Sequence, residues 1–569
     1  MERLIRRDAH VNRNDTLTSL KSHSPAVLIV GGGINGAGAF RDLAVNGVDV
    51  LLIDRADFCS GASAASSHMA HGGIRYLENG EFRLVREAVR ERNRMILNAP
   101  HLVRPLPTTI PIFKWFSGLL NAPLKFLNLL DRPAERGALV IKIGLMLYDA
   151  YTGLHRTVPR HQFRLRRESL VRWHCLNQNI ICTATYYDGS ILCPERLTLE
   201  LILDAENEGE HARAINYVSL AGVEGNTVIL KDELTGQTYQ TCPTLIINAA
   251  GPWIDAANRS LDLPTHYIGG TKGSHLVLDH PELRQAIGEH EFFFENKDGR
   301  IVLIFPLYDK VLVGTSDIAI ENPDEARCTE EEVDYFLEMI SLIFPDIILS
   351  REHIVFRFSG VRPLAYSKAR MAGQITRDHH IREDKLGNMP VYSLVGGKWT
   401  SYRAFSEQVA DKALKYFGLK RQKDTRNLPI GGGRGFPHNP EEHQRYLHGL
   451  YAWTDLSVER LEVLCERYGT RAETMALFIA READRPLKSF PDYSCREIAH
   501  LAQNEKIVHL DDLFLRRSML AMLGLLTRDR VQELADVIGE ALGWTKAQRQ
   551  AEIRRAAQIL SERHGVTLT

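Results

Sequence analysis

Short apolar runs and longer periodic ones alternate along this chain and divide it. Val27-Leu28-Ile29-Val30 is too short for a helix and long enough for a strand buried on both faces. Val48 to Ile53 reads as a second buried strand, and the segment Ala37 to Asn46 between them suits a helix. Leu245-Ile246-Ile247, running into the small residues Asn248 to Gly251, reads as a third. Pro194 and Glu195 open a helix predicted to run through about Ala205, with proline at a tolerated early position. The pattern then changes. KGSHLVLD (272–279), FFFENKDGRIVLIFPLYDKVLVGTSD (292–317) and HIVFRFSGVRPLA (353–365) set β-branched and aromatic runs between glycine and asparagine turns. These predict hairpins of a mixed sheet. The glycines and prolines of NLPIGGGRGFPHNP mark a linker. Beyond about residue 437 apolar residues recur at i, i+3 and i+4, as in LSVERLEVLCERYG, and predict helices to the end.

Two segments fit neither pattern. Residues 104 to 149 cluster Trp115, Phe116, Leu119, Leu120, Phe126, Leu129 and Leu130 with Lys114 and Lys125, and Pro123 interrupts them. Such a stretch is too broken to span a bilayer. Over about 113–130 it suits a helix lying in the membrane interface, with a buried helical hairpin or a dimer contact as the alternatives. From Glu81 a charged amphipathic helix begins, its arginines expected on a solvated face. Residues 1–24 lack an apolar core and read as a flexible leader, not a secretory signal.

Bulk properties narrow the function. A length of 569 residues exceeds one core and predicts several domains. A net charge of -1 gives no reason to expect nucleic-acid binding. The 8 cysteines show no C-x-x-C pair and no metal-like spacing with histidine, so they read as reduced thiols and predict no metal.

The chemistry begins at the first strand. Gly31, Gly33 and Gly36 stand in G-x-G-x-x-G spacing directly after it, and Asp54 ends the second strand. The first glycine makes the tight turn, the second lets backbone approach a pyrophosphate, and the third lets helix pack on strand. N–H groups at the helix start, at Ile34 and Asn35, then face the phosphates, and Asp54 can accept both ribose hydroxyls. This predicts a dinucleotide without distinguishing NAD from FAD. The small residues Ser60 to Ser67 suit a loop lying flat on a bulky cofactor, and the glycines of HGGIRYL (71–77) bring backbone close to something.

The motifs GGGINGAG, SSHMAHGGIRYLE, NAAGPW, KGSH, SGVRPL and GGKWTSYR stand in the order found in FAD-dependent glycerol-3-phosphate dehydrogenases, which the chain resembles over roughly 25–418. The resemblance selects FAD. It implies an α/β fold with a glutathione-reductase-type FAD-binding Rossmann domain assembled from discontinuous segments, at about 25–100, 175–260 and 355–420. A mixed-sheet substrate (cap) domain would occupy about 101–174 and 261–354, and an all-α C-terminal domain 431–569. Known members oxidise sn-glycerol 3-phosphate to dihydroxyacetone phosphate and pass electrons to a membrane quinone, or to oxygen in the oxidase branch.

On this resemblance Arg75, Tyr76, Arg362 and Lys398 form the substrate site. Gly31, Gly33, Ile34, Asn35, Gly36, Asp54, Ser66, Ser67, His71, Gly72, Gly73, Ala250, Gly251, Gly397 and Lys398 hold the cofactor. The residue types suit the task. Removing a hydride from C2 requires a base for the hydroxyl proton, and guanidinium grips a phosphate dianion bidentately. His71, whose imidazole ordinarily titrates near neutrality, is one expected base; a neutral His71 that only orients its loop is the other reading. Arg362 or Lys398 can stabilise the developing alkoxide. The presence of IGLMLYD (143–149) adds to the expectation of a peripheral protein on the cytoplasmic side of a membrane, or a cytoplasmic one if anchoring fails. Other expectations are a flavin oxidase of the amine/hydroxy-acid group and a non-enzymatic flavin-binding scaffold. A homodimer is compatible with either.

Overall fold

The structure, a computed structural model, describes residues 13–74, 81–115, 137–152, 157–295, 301–367 and 378–569. Its first sheet holds β1 (Val27–Val30), β2 (Val50–Ile53), β7 (Ala212–Ile215), β11 (Leu245–Asn248), β18 (His380–Leu386) and β19 (Met389–Val395). They lie in the order β18-β19-β11-β1-β2-β7. Only the β18–β19 pairing is antiparallel. Val27 pairs with Val50 on one side and Leu245 on the other, so strand order turns back at β1. That is the switch point where such sheets open a crevice at their carboxyl ends. Strands buried on both faces need helices on both faces. The helix Ile34–Ala44 packs against Pro194–Glu206 and Tyr402–Tyr416. A Cβ on Gly38 would stand 2.3 Å from Ser406 Oγ, so this helix crossing requires a glycine.

A second sheet is a small antiparallel meander of β8 (Val218–Glu224), β9 (Thr227–Asp232) and β10 (Thr238–Thr241). The third is mixed and larger. It contains β3 (Met69–Ala70), β4 (Val103–Ile112), β5 (Gln162–Leu165), β6 (Cys182–Ile191), β12 (Thr271–Leu278), β13 (Glu291–Glu295), β14 (Ile301–Leu307), β15 (Lys310–Gly314), β16 (Ile318–Ala319) and β17 (Ile354–Arg362). The expected hairpins are present. Two strands cross the expected boundaries, however: β6 and nearly all of β17 fall within the anticipated FAD segments 175–260 and 355–420, yet both belong to this sheet.

Residues 13–24 correct the reading of a flexible leader. Arg13–Ser19 is helical, with Leu17 and Leu20 buried beside Leu28, Leu51 and Val218. Arg13 reaches the Asp232 carboxylate and the Tyr217 carbonyl. The helix Phe82–Asn98 forms as expected, but Arg92 is fully buried instead of solvated. The end of the chain is helical from Pro440 onward. Its core joins that of the mixed sheet through Phe356 and Phe358. Among the described residues, no helix is long and apolar enough to cross a membrane. Residues 116–136, which include most of the expected interfacial segment, lie outside the described residues.

Candidate functional site

The glycine turn after β1 is shaped by close backbone approach. Gly31 has φ +108°, and a Cβ there would stand 2.6 Å from the Ala249 carbonyl oxygen at the end of β11. A Cβ on Gly36 would meet Gly31 O at 1.9 Å. Gly33 differs: its φ is an ordinary -75°, and its Cβ would meet only Ser63 Oγ at 3.1 Å, on the cleft wall. Ile34 N–H donates to Ser63 Oγ at 3.0 Å, which joins the small-residue loop to the helix start. Asp54 accepts from Gly32 N–H at 2.7 Å and from Ala56 N–H at 2.9 Å. Burial raises its carboxyl to about 6 against the pull of these two bonds.

Three sequence-distant loops meet in front of this turn. Gly396 and Gly397 adopt φ +80° and +97°, turning the chain from β19 into its helix. Trp399 Nε1 then donates to Ser63 O at 2.9 Å, and Thr400 Oγ1 to His71 O at 3.1 Å. The turn that carries Lys398 is thereby tied to both the small-residue loop and the HGG loop. Burial raises the Glu87 carboxyl while Arg83 and Lys398 draw it down, so the Lys398 ammonium acts within reach of the helix Phe82–Asn98.

The HGG loop rests on a buried network. Gly72 N–H donates to Asp188 Oδ1 at 2.9 Å, and the same oxygen accepts from Tyr148 OH at 2.5 Å. Arg92 Nη1 donates to Tyr148 OH at 2.7 Å and to Asp188 Oδ1 at 3.3 Å. This pairing explains why Arg92 is buried: its charge is matched inside the protein. A Cβ on Gly72 would strike Tyr148 OH at 2.0 Å.

The mixed sheet supplies the opposite wall. Arg362, at the end of β17, donates from Nη1 to Asp317 Oδ1 at 3.2 Å and from Nη2 to Thr315 Oγ1 at 2.9 Å and Ser316 O at 3.1 Å. Its guanidinium lies across Gly273 of the neighbouring β12; a Cβ there would stand 2.2 Å from Nη2. Two residues along β12, His275 is buried, stacked on Phe358 with ring centres 4.8 Å apart. Its Nε2 is hydrogen-bonded to Ser67 Oγ at 2.9 Å. Burial, then the Arg362 charge and His68, depress its pKa well below the ordinary value, so the imidazole is neutral.

One cleft of about 3010 Å³ collects these groups. Gly31, Gly33, Ile34, Asn35, Asp54, Ser66 and Ser67 line it. So do His71, Gly73, Ala250, Gly251, Arg362, Gly397 and Lys398. Gly36 and Gly72 do not; they stand behind the wall and permit its packing. Arg75 and Tyr76 lie outside the described residues. The motif KGSH does not by itself single out His275, whose surroundings come from three separate segments. Nor does the sequence pattern single out Trp399, Arg92, Tyr148 or Asp188.

A dinucleotide fits this cleft. Its volume exceeds the ~300–1,000 Å³ of ordinary small-molecule sites, leaving room for a dinucleotide and a substrate. Among the described residues, Asn35 Oδ1 is a buried oxygen with no hydrogen-bond donor, and Asn35 is one of the residues that line the same cleft. Such an acceptor suits a ligand hydroxyl.

Comparison with known proteins agrees with this geometry. Residues 26–402 match the family model described as FAD dependent oxidoreductase. Residues 423–549 match the C-terminal domain of alpha-glycerophosphate oxidase. The chain is 32% identical over 568 residues to a glycerol-3-phosphate dehydrogenase of Synechocystis sp., covering 94% of this chain and 96% of the relative. It is 29% identical to the aerobic glycerol-3-phosphate dehydrogenase of Staphylococcus saprophyticus, covering 97% of each. In fold it is similar to the crystal structure of glycerol-3-phosphate dehydrogenase from Bacillus halodurans complexed with FAD. That likeness has a TM-score of 0.74 at 21% identity and covers 96% of this chain and 97% of the other.

Proposed function

The chain belongs to the FAD-dependent glycerol-3-phosphate dehydrogenase family, with FAD as its cofactor, and on that premise we propose that it oxidises sn-glycerol 3-phosphate to dihydroxyacetone phosphate. The observation that carries the reading is the meeting of Arg362, Lys398 and His71 around one cleft whose far end holds the dinucleotide turn. Bound FAD supplies the hydride acceptor, N5 of its flavin.

The protein's own groups do the rest. Arg362, held by Asp317 and Thr315, presents a fixed cation for the phosphate or for the oxygen on C2. The resemblance assigns Arg75 the same anion-binding role and Tyr76 to the substrate site. Lys398 adds positive charge from the opposite loop and stabilises the alkoxide as the hydroxyl proton leaves. His71 is the proposed base. The buried His275, whose pKa burial and the Arg362 charge hold well below the ordinary value, is too weak a base for that role and instead positions Ser67. As the proton goes to the base and the hydride leaves C2, the carbon–oxygen single bond becomes the ketone.

A membrane quinone is the proposed electron acceptor, reached from a peripheral position. The helix Ala138–Thr152 supports this, since Leu139, Ile143, Met146 and Leu147 expose one apolar stripe. Oxygen is the second reading, favoured by the match of residues 423–549 to an oxidase C-terminal domain. The test is anaerobic addition of glycerol 3-phosphate to the purified yellow protein. Bleaching of the flavin is expected, and an unchanged spectrum overturns the proposal. Reoxidation by air compared with a soluble quinone then separates the two acceptors.

A further inference from the structure

The cleft continues past Asp54. There the turn Asp54 to Asp57, with Tyr217 and Val218, lines it together with Leu515, Arg555, Gln558 and Ile559 of the C-terminal helices, and Arg555 is close enough to Tyr217 to feel its charge. We infer that the C-terminal helical domain is the outer wall of the site for the adenosine half of FAD, with Arg555 and Gln558 as its polar face. The inference rests on FAD as cofactor and not on the identity of the alcohol.

The direction of the cofactor follows from Asp54. An acid at the end of the second strand holds the ribose, so the adenine extends beyond β2, toward β7 and the residues that follow it. Tyr217 and Val218 are those residues, and the C-terminal domain stands directly across from them. Polar contacts fix that position. Tyr217 OH donates to Asp512 Oδ1 at 2.6 Å, and Asn216 Nδ2 donates to Lys506 O at 2.8 Å. Asp57, fully buried, is gripped bidentately by Arg517, at 2.5 and 2.9 Å, and also by Arg516. Both arginines lie on the π-helical turn Leu513–Arg517, which aims two successive side chains at one carboxylate. Burial alone would raise the Asp57 carboxyl, but Arg517 and Arg516 hold it below the usual range.

The helix Lys546–His564 completes the wall. Arg555 Nε donates to Asp511 Oδ1 at 3.0 Å, which orients a side chain that remains 42% exposed along the cleft. At its other end His564 stacks on Phe356 of β17, ring centres 4.3 Å apart. One helix thus spans from the adenosine end to the strand that carries Arg362. A guanidinium can stack on the adenine face, and a glutamine amide both donates to and accepts from the ring edge.

The test uses apo-protein prepared from the holoenzyme, titrated with FAD and with ADP as a competitor. Arg555→Ala combined with Gln558→Ala should weaken both ligands at least fivefold without lowering the apo-protein's melting temperature. Arg555→Lys should recover part of the loss. FAD and ADP binding within twofold of wild type in the double variant overturns the inference, as does a melting temperature that falls in step with affinity. No glycerol 3-phosphate is present, so failure here and failure of the proposed reaction are read separately.

Discussion

Asp54→Asn separates two effects that normally move together, folding and cofactor binding. Burial raises the Asp54 carboxyl from 3.8 to about 6, although Ala56 and Gly32 N–H groups oppose the shift. A shift of roughly two pK units corresponds to about 3 kcal/mol. Because the folded pKa is the higher one, this is a cost of carrying the charge in the cofactor-free fold. It is fully present above about pH 6 and disappears as the pH falls toward 3.8. Asp54 keeps part of its surface on the cleft, so water discounts the figure. Asparagine should therefore raise the apo-protein's melting temperature at pH 7, despite losing one acceptor for the two N–H groups.

Cofactor binding should move the other way. If Asp54 holds the ribose as proposed, the hydroxyls need its ionised carboxylate, and a charge-assisted hydrogen bond contributes roughly 1.5–3 kcal/mol, about 10- to 150-fold in affinity. Wild-type affinity for FAD should also fall about tenfold per pH unit below roughly pH 6 as the carboxylate takes up its proton. The asparagine variant should show no such slope. Fluorescence titration of apo-protein between pH 5 and 7.5 measures both quantities. FAD affinity within threefold of wild type in the variant, or a flat wild-type profile, refutes the reasoning.

Arg362→Ala should lower kcat/KM for glycerol 3-phosphate by about 10- to 150-fold, the loss of one charge-assisted contact; activity within twofold of wild type places Arg362 outside the site. Gly273→Ala should act through the same arginine, because its Cβ would stand 2.2 Å from Arg362 Nη2 and force the guanidinium aside. The expected result is a severalfold higher KM at unchanged FAD content, and a wild-type KM refutes it. Ile143→Glu with Leu147→Glu removes apolar contact worth roughly 1.5–3 kcal/mol per side chain, and should cut vesicle pelleting at least tenfold. Unchanged pelleting would refute the apolar stripe of the helix Ala138–Thr152 as a membrane contact.

The dinucleotide turn was legible because its constraints are local. Four apolar residues, three spaced glycines and a terminal acid each report a backbone or burial requirement within 28 positions, Val27 to Asp54. The strands of the mixed sheet were equally visible as strands. Their sheet membership was not: β6 pairs with β4 and β5, while β17 pairs with β12, and alternation along one strand carries no record of its partner. Arg92 was misread for a related reason. An arginine on an amphipathic helix is ordinarily solvated, and only Asp188, nearly a hundred positions later, makes its burial tolerable. His275 gains its neutral state from burial, with Phe358 stacked on it, and then from the charge of Arg362 and from His68, none of them near it in sequence. The helix Arg13–Ser19 carries too few apolar residues to signal itself; Leu17 and Leu20 matter because they join the apolar cluster of Leu28, Leu51 and Ile246 on one face of the first sheet.

The buried charges at the domain junction answer the same problem that hides the site from sequence. Lys398 belongs to the end of the Rossmann sheet, Arg362 to the mixed sheet, and the far wall of the cleft to the C-terminal helices. Chemistry across such a seam fails if one body slips by an ångström. Apolar contact resists separation but is indifferent to small sliding. An ion pair is the reverse: it adds little net stability over apolar packing, yet losing its geometry leaves an uncompensated charge at a cost of about 3–5 kcal/mol. The junction uses such pairs repeatedly, with Arg517 on Asp57, Arg196 Nη1 on both oxygens of Glu505, and Lys506 on Glu206. Each links the FAD-binding domain to the helical tail. Their energetic weakness as glue and their strictness about position are one property, and a cleft walled by three bodies needs the second half of it.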